Sequence, residues 1–420
     1  MPEMITNHDA CYALDLVKAI CAEVGPGLPG SSQERQRAGM IKRVLDSHLG
    51  VENVVVEEFT VAPGAFLGSL PISALLTLLS ALLNVSMGRL TRLSPWVTAI
   101  AALTFSIISL LSFVFEYLMY FEFLDPFFRQ KQSVNVVGTL RRPGTKSVKR
   151  LLILSGHHDS ALENTWIGAL GYGLYITVPT IFIGLITMLA MSLIQLTGLI
   201  TDNADIVRIG TLGWVMLLYP IGPAIVFALF FNRGRKGGGT VPGAADNLSA
   251  SALAVAMCRF LVKNPSYIPD DTEIRFISFG SEEAGLRGSR RYVERHLDEL
   301  KRLDARLLNF ETVAHPEIAI ITSDVRGVKH SPEMVKSVVA AAQRAGVPYK
   351  VKPSPVGGGG SDAGSFSHAG LKATTLLPFK VPQQLAAFYH QKWDRPEVLT
   401  IEPLLNVLKL TLEWIRNGGE

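Results

Sequence analysis

The chain has 420 residues, 48% of them apolar and 18% charged, with a mean hydropathy of +0.28. Soluble domains are on average about one quarter charged, so part of this chain is expected to meet lipid. A formal net charge of +4, with no Lys/Arg cluster interleaved with aromatics, excludes nucleic-acid binding, while Cys11, Cys21 and Cys258 form no CxxC pair and read as reduced thiols in a cytoplasmic setting.

The first 25 residues hold Glu3, His8, Asp9 and Asp15 and no apolar core, so a cleaved signal peptide is not expected. Leu14, Val17, Ile20, Cys21 and Val24 recur at helical spacing and predict a helix over 10–23, which Gly25-Pro26-Gly27 stops. Ser31 with Glu34 three positions on is a capping-box signature that opens a second helix, to about Ser47. The β-branched stretch 51–61 reads as a strand. All of this region reads as scaffold.

From Phe59 to Gly88 no residue is charged, and Leu93 to Phe115 is a second uncharged stretch behind Arg89 and Arg92. An apolar helix needs about 20 residues to cross a bilayer, so these predict a transmembrane hairpin over about 66–85 and 96–115, with Pro71 near its start. Tyr117, Tyr120, Phe121, Phe123, Phe127 and Phe128 then form a candidate interfacial belt. Residues 132–140 alternate as a strand. Asn164 to Thr201 and Ile209 to Asn232 are again uncharged and predict a second hairpin, over about 172–195 and 210–231.

Between the hairpins, the apolar run Leu151-Leu152-Ile153-Leu154 reads as a strand buried on both faces, and it ends in Ser155-Gly156-His157-His158-Asp159-Ser160. Polar residues at the carboxyl end of such a strand stand where open α/β sheets place their sites. Positions two apart in extended backbone share a face, so Asp159 can orient the imidazole of His157. From Val241 onward, helices at 248–262, 288–302, 331–345 and 403–415 alternate with strands at 273–280, 306–310, 318–322 and 373–377. That alternation argues for a mostly parallel sheet covered on both faces.

Four further acidic or histidine-bearing spots end these elements: Gly243-Ala244-Ala245-Asp246-Asn247, Ser281-Glu282-Glu283-Ala284-Gly285-Leu286, Asn309-Phe310-Glu311 and Phe388-Tyr389-His390. Two imidazoles with several carboxylates suit zinc, and their dispersal suits a catalytic site more than a zinc finger.

In order, the segments HHDS, GAADN, EEAGLRGS, NFE, SDAGSF and YHQKWD resemble the co-catalytic zinc exopeptidase family that includes bacterial leucyl aminopeptidase, aminopeptidase Y and glutamate carboxypeptidase II. The resemblance runs from about Gly30-Ser31 to the C-terminus once both hairpins are set aside. It implies two zinc ions per chain: Asp246 bridges them, His157 and Glu311 complete one, and Glu283 and His390 the other. Glu282 matches the general base and Asp159 the partner of His157. Asn247 and Asp362 either position ligands or substrate or cap loops. Two positions depart from the pattern. Glu311 stands where the family usually has Asp, so either its longer arm reaches the metal from a backbone set farther back or it does not bind at all, and Ala245 replaces a frequently acidic residue.

The expected architecture is a zinc exopeptidase-like α/β domain, with a mostly parallel sheet and helices on both faces, interrupted by two inserted transmembrane hairpins. Residues 1–62, 129–163 and 240–420 make the catalytic domain, and 63–128 and 164–239 the hairpins. The second hairpin lies between Asp159 and Asp246, so its ends must return close together, near the membrane surface. The expected activity is that of a membrane-bound dinuclear zinc exopeptidase, an aminopeptidase first. A zinc carboxypeptidase or N-acyl amidohydrolase is the alternative enzyme, and a catalytically silent receptor or scaffold the alternative of another class, against which the intact Glu282-Glu283 pair speaks. The expected partners are a peptide or small amide substrate and the lipid bilayer, with homo-oligomerisation left open. Arg129, Lys131, Arg233, Arg235 and Lys236 outnumber Arg89, Arg92 and Arg208 at the hairpin tips, which puts the catalytic domain and both termini in the cytoplasm.

Overall fold

The computed structural model describes residues 4–87, 92–164, 167, 173–217, 239–355, 359–381 and 383–420, and the chain divides into two compact units. One gathers Met1–Pro63, Gln130–Glu163 and Arg233–Glu420, and the other Gly64–Arg129 and Asn164–Asn232.

The first unit is an α/β domain on one eight-stranded sheet. Its strands are β1 (Val54–Val61), β2 (Lys131–Arg141), β3 (Arg150–His157), β4 (Thr272–Phe279), β5 (Arg306–Phe310), β6 (Ile318–Ile321), β7 (Tyr349–Lys352) and β8 (Lys372–Leu377). They lie in the order β1-β2-β4-β3-β5-β8-β6-β7. The central run β4-β3-β5-β8 is parallel, as is β6 with β7, while β1 with β2, β2 with β4 and β6 with β8 are antiparallel.

β3 takes the centre because its four apolar residues tolerate burial on both faces. Leu151 and Ile153 face one side and pack with Tyr292, Val293, Leu300, Ala363 and Phe366, from the helices Arg287–Arg302 and Asp362–His368. On the other side the helix Ser249–Lys263 comes so close that a Cβ at Gly156 would run into the Cβ of Ala250. Because β4, β3 and β5 are parallel, with His157 opposite Phe279 and Ser155 opposite Asn309, their carboxyl ends open on one edge of the sheet.

Most predicted elements recur with ends shifted by a few residues. β7 and the helix Asp362–His368 were not predicted: β7 is a four-residue edge strand and the helix has seven residues, both too short for a period to show.

The second unit is helical. Pro63–Ser86 and Gly173–Ile200 are continuous helices, and Pro95–Leu111 continues into a wider turn, Ser112–Leu118. Pro71 lies inside the first of these, eight residues past its start, so the placement near a helix beginning is corrected. Among the described residues four helices are long and apolar enough to cross a membrane: Pro63–Ser86, Pro95–Leu118, Pro179–Ile200 and Ala244–Lys263. The last belongs to the first unit, where its apolar residues are buried in the protein core. The predicted span 210–231 is described only to residue 217, as the end of the helix Ala204–Thr211 and the turn Leu212–Leu217; its remainder and the basic segment 233–236 lie outside the described residues.

This unit has its polar groups inside. Ser73 and Ser109 donate to each other's main-chain carbonyls at 3.0 and 2.7 Å, and Thr77 Oγ1 is 2.7 Å from Ser109 Oγ. Ser80 and Ser106 pair at 2.7 Å, Asn84 donates to Ser192 Oγ at 3.0 Å, and Gln195 to the Asn84 carbonyl at 2.9 Å. Leu75, Leu79, Leu82, Trp96, Ile100, Ile107, Ile183, Ile186 and Leu193 point outward. Small and hydroxylated residues between helices with large apolar ones outside is the pattern of helices packed in lipid.

Candidate metal centre

The three parallel strand ends deliver His157 from the end of β3, Glu282 and Glu283 from the short turn after β4, and Glu311 from the residue after β5. Asp246 stands just ahead of the helix Ser249–Lys263, and His390 follows the helix Gln383–Ala387. Residues far apart in sequence thus meet in one buried cluster. His157 is 1% exposed, Asp246 3% and Glu282 8%.

Asp246 is the hub. Its Oδ1 lies 3.4 Å from Nε2 of His157, and its Oδ2 lies 3.1 Å from Nε2 of His390. Glu311 Oε1 is 3.6 Å from His157 Nε2, so the longer side chain reaches the first group, and Glu283 Oε1 is 3.1 Å from His390 Nε2 in the second. Glu282 Oε2 is 3.7 Å from His157 Nε2. Two trios therefore share Asp246: His157, Asp246 and Glu311, and Asp246, Glu283 and His390.

The donor set fits zinc. With Zn–N and Zn–O bonds near 2.0–2.2 Å, tetrahedral ligand atoms stand about 3.3 Å apart, and the separations from the histidines, 3.4 and 3.6 Å in one trio and 3.1 Å in the other, lie close to that value on either side. Asp246 Oδ2, Glu283 Oε1 and Glu311 Oε2 are buried without a hydrogen-bond partner among the described residues. Such groups are costly unless a cation takes them up.

The charges report the same crowding. Burial pushes Glu311 up to about 8, against the pull of His157. Burial likewise raises Glu283, and it raises Glu282 well above the carboxylate range, with Glu283, Asp362 and Glu311 adding to the effect. Burial opposes the charge on His390, yet Glu283 and Asp246 lift it to about 10. Asp246 runs the other way: its two histidines outweigh burial and hold it below its ordinary range.

Asp159 does more than face His157, whose Nδ1 is 3.4 Å from its Oδ1. Its two oxygens accept the main-chain N–H groups of Glu282 and Glu283 at 3.1 and 2.9 Å, which ties the β3 loop to the β4 turn. Asn247 donates to the Phe310 carbonyl at 3.0 Å and accepts from the Thr312 N–H at 3.1 Å, so it caps the segment that carries Glu311. Asp362 is fully buried beside the cluster, and burial lifts it to about 7.

Sequence reasoning missed two supports. Asp394 accepts from the N–H groups of Ala245 and Asp246 at 2.7 and 3.0 Å, and so holds the backbone of the hub. Arg37 is buried and donates to the carbonyls of Gly25, His158 and Pro242, two of them next to site segments. Asp394 closes the YHQKWD segment and could have been flagged there, whereas Arg37 lies in a helix with no motif of its own.

The parallel strand ends of a mixed α/β sheet thus bring two carboxylate–imidazole trios onto one shared aspartate. Residues 233–415, somewhat under half of the chain, match Peptidase family M28. Aminopeptidase YwaD of Bacillus subtilis (strain 168) is 32% identical over 181 residues, which cover 41% of this chain and 34% of that protein, so the chain spans about a third of the length of this curated relative. Among solved structures, the zinc aminopeptidase BSAP from Bacillus subtilis superposes with a TM-score of 0.54 at 16% identity, covering 98% of this chain and 95% of that one. An aminopeptidase from Aneurinibacillus sp. strain AM-1 gives 0.53 at 15% identity, with 97% and 95% covered. A glutaminyl cyclase from an Acidobacteriales bacterium gives 0.55 at 12% identity, with 100% and 96% covered. These superpositions speak to the fold.

Proposed function

We propose that this chain is a membrane-embedded dinuclear zinc exopeptidase, an aminopeptidase by preference. The observation that carries the reading is Asp246, whose two oxygens face two separate histidines, each with its own second carboxylate. In this reading His157, Asp246 and Glu311 hold one zinc, and Asp246, Glu283 and His390 the other.

When bound, zinc supplies the Lewis acidity that acidifies a water and polarises the scissile carbonyl. Glu282 takes the proton of the attacking water and passes it to the leaving amine, a general-base and then general-acid role. Its Oε2, 3.7 Å from His157 Nε2, stands beside the cluster without belonging to either trio on Asp246. Asp159 keeps His157 and the Glu282–Glu283 turn in register through its hydrogen bonds. Asp394 and Asn247 hold the backbones that present Asp246 and Glu311.

The aminopeptidase preference is tested with the substrate. N-acetylating a good peptide substrate should stop its cleavage, because the free amine is then missing as a recognition element. Cleavage that survives acetylation but requires a free C-terminal carboxylate would move the reading to a carboxypeptidase.

Membrane insertion is supported by the apolar exterior and hydroxyl-lined interior of the second unit. The charge asymmetry at the predicted span ends supports a catalytic domain facing the cytoplasm. After Cys11, Cys21 and Cys258 are removed, single cysteines at Ser94 and Ser331 are probed on intact cells with an impermeant thiol reagent. Labelling is expected at Ser94 and not at Ser331, and the opposite pattern places the domain outside.

A further inference from the structure

The helix Ser32–Leu49 lies outside the residues that match the peptidase family and carries none of the proposed ligands. Glu34, in its first turn, is nevertheless only 1% exposed and has both oxygens occupied. Its Oε2 accepts the N–H of Gly30 at 2.7 Å, and its own N–H donates to Ser31 Oγ at 3.1 Å, which completes the start of the helix. A capping role needs no more than that. The other oxygen looks away from the helix: Oε1 accepts the Ser133 hydroxyl at 2.9 Å, the Ser281 N–H at 2.7 Å and the Ser281 hydroxyl at 2.8 Å.

Ser281 immediately precedes Glu282 and holds a φ of +52°, a left-handed conformation that residues other than glycine seldom adopt. The turn around it is clasped from several sides. Asn135 accepts the Gly280 N–H at 3.1 Å and donates to the Gly288 carbonyl at 3.0 Å. A Cβ at Gly280 would strike the Val134 carbonyl, so this backbone has no room to relax towards β2. Three consecutive N–H groups then end on two buried carboxylates, that of Ser281 on Glu34 and those of Glu282 and Glu283 on Asp159. Of the two carboxylates, Asp159 also faces His157, whereas among the described residues Glu34 bonds to the helix start, Ser133 and Ser281.

We propose that Glu34 is a positioning residue for the hydrolysis: its carboxylate locks Ser281 in the left-handed conformation and thereby aims Glu282 at the reacting water. This rests on the dinuclear hydrolase reading above. Glu34 touches neither metal ligand nor substrate and acts through the Ser281 backbone.

The test uses the full-length, zinc-loaded chain. Glu34→Gln keeps the size but turns an N–H donor towards the Gly30 N–H, and kcat is expected to fall about 10- to 100-fold, as misaimed catalytic groups do, with KM and zinc content within twofold of wild type. The discriminating measurement is the double variant Glu34→Gln/Glu282→Gln. A residue that works through Glu282 has nothing left to aim once the base is gone, so the double variant should lose no more activity than Glu282→Gln alone. Ser281→Ala, which removes only the hydroxyl donor, should give a smaller fall in kcat with the same lack of additivity, and it decides the question if Glu34→Gln yields no folded protein. A kcat within twofold of wild type, additive losses in the double variant, or a loss carried by KM or zinc content overturns the assignment. An inactive wild-type chain with zinc bound instead removes the hydrolase reading, and this inference with it.

Discussion

Glu282→Gln is expected to cut turnover by about 10²- to 10⁴-fold while zinc content stays at the wild-type level, the usual span for losing a general base. The side chain sits 3.7 Å from His157 Nε2, within reach of the cluster, and belongs to neither of the trios built on Asp246. Its amide replacement keeps shape and main-chain bonding, so the Glu282 N–H still reaches Asp159. What goes is the capacity to accept and return a proton. Zinc measured by mass spectrometry alongside kcat separates the two roles. If zinc left together with activity, Glu282 would be a ligand, and if turnover stayed normal the base would lie elsewhere.

Asp246→Ala should have the second large effect, lowering bound zinc from about two ions per chain to one or none and abolishing activity, because a single carboxylate serves both trios. Removing the metal by chelation should expose the charges it balances. Glu283 and Glu311 have folded pKa values raised above their unfolded ones, Glu311 to about 8, and His390 is raised to about 10. A group raised in this way contributes stability that is complete below its unfolded pKa, about 4.3 for Glu and 6.5 for His, and is lost as pH climbs through its folded value. Asp246 has the opposite sign, but its contribution is already complete above a pH of about 4. The zinc-free chain should therefore show a Tm that falls from about pH 5 to pH 8, and zinc should flatten that slope. A chelated protein with a flat or rising Tm over this range would contradict the charge balance drawn here, and full zinc occupancy in Asp246→Ala would remove the bridging role.

The residues of the proposed centre and the placing of the long apolar stretches could be read from the sequence by itself. Motifs at strand ends are local: an uncharged β3 followed by His157 and Asp159, or a Glu282-Glu283 pair after β4, can be read without knowing any contact. Long uncharged stretches are equally local, which is why the helices Pro63–Ser86 and Gly173–Ile200 were legible from composition. Periodicity does not carry strand direction or distant hydrogen bonds. The antiparallel pairing of β6 with β8 and the four-residue β7 came only with the sheet. The same holds for the supports of the site. Asp394 under the Asp246 backbone, Arg37 on the Pro242 and His158 carbonyls and Glu34 on Ser281 each join segments more than 100 residues apart, and side chains that bond main-chain groups leave no spacing to read. The proposed donor residues were thus legible in the order of the residues, whereas the geometry that gathers them comes from three parallel strands ending together and from buried charges that hold the turns between them.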